Sequence, residues 1–292
     1  MTSSFPSSKV ERARPLLGTT VSIRVHGLDA AQAHAAIDAA FAQVERVHAL
    51  MSFHEPASDL SRLHRAPLGE RISIDRMTAE VLQEALRLAR QSDGVFDVTI
   101  GGQLVRDGVL PSPCAPCPPD PLASWKDIEV SATHACLHRH LRIDLGGIAK
   151  GYAVDRAVLA LKQHGVAHGV VNAGGDLRFI GEGPHRVAID TTHEEGANVP
   201  ALEVGEVAIA TSTPRARAQG AAISHHDARR RSPVVGDLLA TVVASQCMHA
   251  DALTKVVLAL GTQSDAVLRH YDAEAYLHCP SGEWTCVGQA IA

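Results

Sequence analysis

The sequence predicts a fold of the mixed α/β or α+β class, in which mixed sheets pack against helices. Short runs rich in Val, Ile and Thr recur along the chain and are typical of strands. Longer segments place apolar residues at the spacing of a helix. Because the two kinds of segment alternate irregularly, the pattern argues against an all-helical or an all-strand protein.

Composition and charge narrow the function classes before any motif is considered. The chain has 292 residues, 46% of them hydrophobic and 20% charged, so it can bury a sizeable core. A net charge of −5 argues against a general nucleic-acid coat, which needs a basic surface. No apolar run reaches the roughly 18 residues of a membrane span. The N-terminus shows neither a signal segment nor a lipid-acceptor cysteine, which predicts a cytoplasmic protein, or a periplasmic one if a leader has been removed.

The first half of the chain begins with a polar segment, residues 1–15, that we expect to be a flexible N-terminus. β-Branched residues then predict a strand over 16–25. Asp29 is placed to cap a helix, with Gln32 at the capping-box position, and the helical spacing continues to Met51. A second helix is predicted over 78–91. Residues 107–121 hold six prolines and two cysteines, so we expect a loop without helix or strand there.

The second half alternates short strands with three helices. Short strands are predicted near Ile128, Ala135 and Leu141, and a helix over 146–163 is entered through two glycines. Further strands are predicted over 166–172, 177–181, 187–190, 201–203, 206–211 and 239–244. Helices follow over 248–260 and 263–270, and the last strands cover 275–278 and 284–287.

Two glycine-containing turns are candidate phosphate sites. In the first, a strand leads through Asp144 to a glycine pair and a helix that carries Lys150 in its first turn. Backbone N–H groups at a helix start favour an anion, glycines allow its close approach, and the lysine adds a positive charge. In the second, a glycine pair lies between Asn172 and Asp176. The alternatives are an ordinary strand–turn–helix with an exposed lysine and an ordinary hairpin turn.

Two further segments carry carboxylate, hydroxyl and imidazole groups. Asp251 has Thr254 and Lys255 at the i+3 and i+4 positions of a predicted helix. A carboxylate and a hydroxyl can hold Mg²⁺, whereas the alternative is an Asp251–Lys255 pair on the helix surface. His225 and Asp227 lie in a polar turn and are candidates for base or phosphate-binding roles, the alternative being a solvated loop.

Taken in order, seven segments resemble the FAD:protein FMN transferases of the ApbE family, over nearly the whole chain. The helix-entry segment IDLGGIAKGYAVDRAV resembles the family signature almost letter for letter. The other segments are LLGTTVSIRV, MSFHEPASDLSRLH, GVFDVTIGGQLV, VVNAGGDLRFIG, AIATS with SHHDARRRSPV, and ADALTKVVLALG. The resemblance implies one flavin transferase domain over residues 16–292 that contains the proline- and cysteine-rich loop at 107–121.

The resemblance also implies a Mg²⁺-dependent reaction with FAD as the substrate. Family members split the FAD pyrophosphate and attach FMN through a phosphoester to a Ser or Thr of an acceptor protein. Some members instead hydrolyse FAD to FMN and AMP. An FAD pyrophosphatase without an acceptor and a non-catalytic FAD-binding protein are therefore the alternatives. Neither a nucleic acid nor a membrane span is expected.

Site roles are implied by position in the matching motifs. His225 falls on the family's catalytic histidine, and Asp227 falls on the acid that follows it. The carbonyl of Ala149, Asp251 and Thr254 are the implied metal ligands. Contacts with FAD are implied for a larger set: Met51, Phe53, Phe96, Asp97, Thr99, Asp144, Gly147, Lys150, Asn172, Gly174, Gly175 and Asp176.

The sequence departs from the family pattern at the implied metal site. The family places a threonine four residues after the metal-binding aspartate, but Lys255 stands there, and Thr254 lies one place earlier. One place on a helix is a rotation of about 100°. We expect the ammonium of Lys255 either to pair with Asp251 and repel Mg²⁺ or to take over a metal's charge. The His225 segment is also one residue short.

Overall fold

The computed structural model describes residues 9–112, 117–189, 200–214, 225–279 and 281–288. Seven α-helices lie within these ranges. In chain order they are α1 (Ala30–Met51), α2 (Asp59–Arg65), α3 (Arg76–Gln91), α4 (Gly101–Arg106), α5 (Ala149–Gln163), α6 (Cys247–Leu260) and α7 (Asp265–His270). Short 3₁₀ turns cover Trp125–Asp127 and Gly261–Ser264. Within the described ranges, none of the helices combines the length and the apolar character that a membrane crossing needs.

The strands form one large antiparallel sheet and three small ones. They are β1 (Lys9–Leu16), β2 (Thr19–His26), β3 (Ile72–Ser73), β4 (Ile128–Val130), β5 (His134–Leu137), β6 (His168–Ala173), β7 (Asp176–Ile180), β8 (His185–Ala188), β9 (Ala201–Val204), β10 (Ala208–Ser212), β11 (His226–Asp227), β12 (Ser232–Pro233), β13 (Leu239–Ala244), β14 (Glu274–His278) and β15 (Trp284–Gly288). The large sheet has the order β1-β2-β6-β7-β10-β13-β14-β15, and each neighbouring pair is antiparallel. The small sheets are β3-β5-β4, β8-β9 and β11-β12. The predicted mixed class is confirmed, and the antiparallel pairing places the fold on its α+β side.

Three helices build the core against the large sheet. Helix α5 packs against both α1 and α6, and α6 also packs on β10 and β13. The helices α1 and α5 bury several alanines, including Ala36, Ala40, Ala153 and Ala157, whose small side chains let helices approach closely. Phe41 is the largest of the completely buried side chains in the described residues, and its burial stabilises the fold by about 1.5–3 kcal/mol.

The N-terminal segment corrects one prediction. Residues 9–15, expected to be flexible, belong to β1, which pairs with β2 from Lys9↔His26 to Leu16↔Thr19. A two-residue turn joins the strands, with Leu17 at φ 56° and Gly18 at φ 70°, as a tight hairpin with the strands' twist requires. The prediction was wrong because four of residues 9–14 are charged, and an edge strand of this composition resembles a polar tail. Residues 1–8 lie outside the described part.

Most other elements are confirmed within a few residues. The Asp29 side chain accepts a hydrogen bond from the Gln32 N–H at 2.9 Å and caps α1 as predicted. The helix predicted over 78–91 is α3, which starts two residues earlier, at Arg76. The strand predicted near Leu141 is reduced to an isolated bridge between Ile100 and Arg142. The described residues of 107–121 contain neither helix nor strand, and its residues 113–116 lie outside the described part.

Candidate functional site

The candidate site lies where the beginnings of α5 and β7 meet α6. Lys150 is the second residue of α5, and Asp176 is the first of β7. Asp251 and Lys255 are one turn apart on α6, and Ser212 ends β10 beside them. Residues separated by about a hundred positions in the chain therefore come together because α5 and α6 pack against each other at one end of the sheet.

A close helix crossing holds the site together. A Cβ atom built at Gly151 would lie 2.2 Å from the Cys247 carbonyl oxygen, so only a glycine fits between α5 and α6. The Gly151 N–H donates to Asp251 Oδ2 at 3.1 Å. The Asp155 carboxylate, one turn further along α5, accepts from the N–H groups of Cys247 and Met248 at 2.9 Å each. Sequence reasoning missed both roles, because each depends on a partner more than ninety residues away.

Asp251 is the centre of the charged cluster. Its side chain is fully buried, and Oδ1 pairs with Lys255 and lies 3.7 Å from Lys150 Nζ. Burial alone would raise the pKa of Asp251, but the ammonium groups of Lys150 and then Lys255 outweigh it and hold the pKa below its usual range. Asp251 is therefore ionised at neutral pH.

Lys150 connects the two buried carboxylates. Its Nζ forms an ion pair with Asp176 in addition to its approach to Asp251. Burial opposes the charged form of Lys150, yet the charges of Asp251 and Asp176 raise its pKa above the ordinary value. Burial, followed by repulsion from Asp251, raises the pKa of Asp176. The cluster is thus two carboxylates matched by two ammonium groups.

The β6–β7 turn carries Asp176 to this cluster. Asn172 Oδ1 accepts from the Gly175 N–H at 2.9 Å and closes the turn. A Cβ atom at Gly174, where φ is +63°, would lie 2.3 Å from Thr19 Oγ1, so a side chain is excluded. The segment is the hairpin turn considered as an alternative, and it also positions a site carboxylate.

Lys255 is surrounded by oxygen atoms. Its Nζ pairs with the Asp251 carboxylate, and lies 3.0 Å from the Asp251 carbonyl oxygen and 3.1 Å from Thr254 Oγ1. Ser212 Oγ lies 3.5 Å from the same nitrogen. Gly147 lies beside the stem of this lysine, since a Cβ atom there would make ordinary van der Waals contacts with Lys255 Cε at 3.5 Å and with the Phe96 ring at 3.6 Å.

The residues present do not fit the predicted Mg²⁺ site. Lys255 Nζ lies against two of the predicted donors, the Asp251 carboxylate and the Thr254 hydroxyl. Thr254 is fully buried, and its hydroxyl makes hydrogen bonds with the Asp251 carbonyl at 2.7 Å and Ser212 Oγ at 2.9 Å. Ala149 begins α5 beside them. No group of three or more His, Cys, Asp or Glu side chains in the described ranges is arranged to hold a metal. A divalent cation at Asp251 would meet an ammonium group.

The two predicted catalytic residues stand in different surroundings. Burial, and then the charge of Lys255, lower the pKa of His225 to about 3, so its ring is neutral at neutral pH and lies within the field of the cluster. Asp227 instead holds its own turn, because Oδ1 accepts from the Arg229 N–H at 3.0 Å. His226, which lies between these two residues in the sequence, pairs with Asp107 at 2.7 Å between Nε2 and Oδ2.

Two of the predicted flavin contacts, Asp144 and Phe53, have different surroundings. Asp144 lies near the cluster: burial raises its pKa, while its hydrogen bond from Gly146 and the charges of His54 and Lys255 lower it. Phe53 has its ring centroid 5.6 Å from that of His64. His64 Nε2 in turn accepts from the Ile143 N–H at 2.8 Å, which fixes the segment that leads to Asp144.

The remaining predicted contacts have structural partners. Asp97 Oδ1 accepts from the Thr99 N–H at 2.8 Å and closes a local turn, and its Oδ2 accepts from the Trp125 N–H at 3.0 Å and ties this turn to a distant segment. Met51 and Phe96 are buried in the main core. Phe96 also lies beside Gly147, at the edge of the cluster.

Comparison with known proteins decides the family. A family model, described as the ApbE family, matches residues 17–277, which is most of the chain. This chain belongs to the ApbE family. The match spans the α5 entry, the β6–β7 turn and α6, which together build the charged cluster.

Individual ApbE relatives agree with this assignment. A protein of Vibrio cholerae named FAD:protein FMN transferase is 29% identical over 88% of this chain and 83% of its own length. A protein of the same name from Haemophilus influenzae is 30% identical over 74% of this chain and 69% of its own. Among solved structures, the flavin transferase ApbE from Vibrio cholerae matches with a TM-score of 0.83 and 24% identity, covering 96% of this chain and 97% of that one. The structural likeness concerns the fold.

Proposed function

We propose that this protein is an FAD:protein FMN transferase. It takes FAD as the substrate, breaks its pyrophosphate and attaches FMN through a phosphoester to a Ser or Thr hydroxyl of an acceptor protein. The observation that carries the proposal is the buried cluster of Lys150, Asp176, Asp251 and Lys255 at the start of α5. The two carboxylates balance the two lysine charges, and the ammonium groups together with the N-terminus of α5 supply N–H donors that phosphate oxygens can accept from.

The proposed reaction is a phosphoryl-type transfer. The acceptor hydroxyl oxygen forms a bond to the phosphorus of the FMN half, and the bond from that phosphorus to the bridging oxygen breaks. AMP leaves with the bridging oxygen, and the hydroxyl proton passes to a base. Such reactions depend mainly on positioning and on electrostatic stabilisation of the phosphate oxygens.

His225 is the proposed base. Its pKa is lowered to about 3, which leaves a ring nitrogen free of a proton at neutral pH. The first causes of this low pKa are burial and the positive charge of Lys255. A bound pyrophosphate brings two negative charges to the same place, and these raise the pKa of His225 toward the range of an effective base.

The Mg²⁺ dependence implied by the family resemblance does not enter the proposed steps. The ligands named for it, Asp251 and Thr254, already surround the Lys255 ammonium. The proposed transfer therefore relies on the chain's own groups.

The test is a labelling assay with an acceptor. The protein is incubated with FAD and a small domain that carries a Ser/Thr flavinylation motif, then denatured, and the acceptor band is examined for flavin fluorescence while AMP is assayed. Labelled acceptor and AMP in equal amounts are expected. AMP without labelling, repeated with several acceptors, would indicate an FAD pyrophosphatase. Bound FAD with neither product would indicate a non-catalytic binding protein.

A further inference from the structure

The position of Lys255 carries an inference about the cation of this site. Four oxygen atoms from three residues surround its Nζ: the Asp251 carboxylate, the Asp251 carbonyl at 3.0 Å, Thr254 Oγ1 at 3.1 Å and Ser212 Oγ at 3.5 Å. Carboxylate, carbonyl and hydroxyl oxygens are the donors that hard cations take in proteins. Here they surround an ammonium group.

The charges of the cluster are already balanced. Asp176 and Asp251 contribute two negative charges, and Lys150 and Lys255 contribute two positive ones, all within a chain of close contacts. A neutral side chain at position 255 would leave the cluster with a net negative charge, which attracts a cation. With lysine there, a divalent ion would add two positive charges to a neutral, largely buried group.

The hydroxyl of Thr254 is also engaged. It makes hydrogen bonds with the Asp251 carbonyl at 2.7 Å and Ser212 Oγ at 2.9 Å, and it lies within reach of Lys255 Nζ. One residue on a helix is a rotation of about 100°, so Thr254 does not present its oxygen from the position that residue 255 occupies. Ser212 and Thr254 therefore complete the surroundings of the ammonium group.

We propose that the ammonium group of Lys255 is a built-in cation that replaces a divalent metal, so that FMN transfer by this protein needs no Mg²⁺. The reaction part of this inference rests on the proposed function, whereas the binding part does not. Removing the lysine and supplying a hydroxyl is expected to convert the site into one that binds and requires a divalent ion.

The first test measures binding alone. Mn²⁺, as a paramagnetic probe, is titrated against the wild-type chain and Lys255→Thr, and free Mn²⁺ is read by electron paramagnetic resonance. We expect the variant to bind about tenfold more tightly or better. The matched control is Lys162→Thr, because this lysine pairs with Glu206 on the surface near the end of α5. Equal Mn²⁺ affinity of wild type and Lys255→Thr would overturn the proposal.

The second test measures transfer with EDTA and with Mg²⁺. We expect the wild-type rate to be the same under both conditions, and the Lys255→Thr rate to appear only with Mg²⁺. Lys255→Met, which keeps the aliphatic stem, is expected to be slow under both conditions, and far-UV circular dichroism at the assay temperature checks that the variant is folded. A wild-type protein that loses transfer in EDTA would refute the built-in cation. If no condition labels the acceptor, the proposed function fails, and the Mn²⁺ titration still decides the binding part.

Discussion

The α5–α6 crossing at Gly151 can be tested by adding one methyl group. In Gly151→Ala, the new Cβ would lie 2.2 Å from the Cys247 carbonyl oxygen, 2.5 Å from its carbonyl carbon and 2.8 Å from the Met248 nitrogen. Carbon atoms in normal contact are about 3.5–4.0 Å apart, so the two helices must separate by roughly 1 Å. All three obstacles are backbone atoms, and no side-chain rotation can relieve them.

The expected loss follows from two opposing effects. Alanine in an unhindered helix interior is more favourable than glycine by about 0.5–1 kcal/mol. Overpacking that shifts the backbone costs about 1–3 kcal/mol or more. The clash at Gly151 involves a carbonyl group, so we expect a net loss of about 1–2 kcal/mol, which lowers the melting temperature by about 2–8 °C. The hydrogen bond from Gly151 N to Asp251 lengthens as well.

Urea and thermal denaturation measure this loss, and FAD titration measures its effect on the site. Gly205→Ala is the matched control, because a Cβ atom there meets nothing within 4 Å, and we expect stability within about 0.5 kcal/mol of the wild type. A Gly151→Ala protein that melts at or above the wild-type temperature would refute the close crossing.

Three further predictions concern the charged cluster and the buried histidines. Asp251→Asn removes the carboxylate partner of the largely buried Lys255 ammonium and should cost about 3–5 kcal/mol in urea denaturation, whereas Asp265→Asn, in an exposed pair, should cost under about 1 kcal/mol. Burial, then two arginine charges, lower the pKa of His64 to about 3 from 6.5, so the unfolded chain takes up the extra proton as the pH falls below 6.5. The free energy of unfolding therefore falls as the pH drops from 6.5 toward 3, and His64 accounts for a loss of about 2 kcal/mol by pH 5. Urea denaturation at a series of pH values should show a smaller fall for His64→Asn than for the wild type. An equal fall in the two proteins would contradict this reasoning. His225→Asn should slow acceptor labelling by about 10²–10⁴-fold while FAD still binds, and the exposed His270→Asn should label at the wild-type rate; an unimpaired His225→Asn would remove its role as the base.

Local patterns in the sequence were sufficient for most of the fold. The Asp29 cap, the helical spacing of α1 and α3 and the β-branched runs of the sheet each depend on neighbours within a few residues. These signals can be recognised without knowing which distant elements the segment packs against. β1 was missed because an edge strand is recognised by its pairing, here with β2, and the many charged residues of β1 are typical of a solvated segment as well.

The sequence by itself also determined which residue types are available to the site. The motif order predicted the family that the comparison confirmed, and the lysine at position 255 was visible as a departure from the family pattern. Two outcomes for that lysine remained open, since spacing on a helix brings Lys255 near Asp251 without saying what else surrounds its ammonium group.

Tertiary structure decided the outcome for that ammonium group. Ser212 reaches Lys255 from β10, and Lys150 reaches Asp251 from α5, across more than forty and about a hundred residues of chain. These approaches depend on the sheet order and on the missing side chain at Gly151, which sets how closely α5 and α6 cross. The net charge of a buried cluster depends on every charged residue that packing brings into it. Those residues come from distant parts of the chain, so no local segment of the sequence shows whether their charges balance.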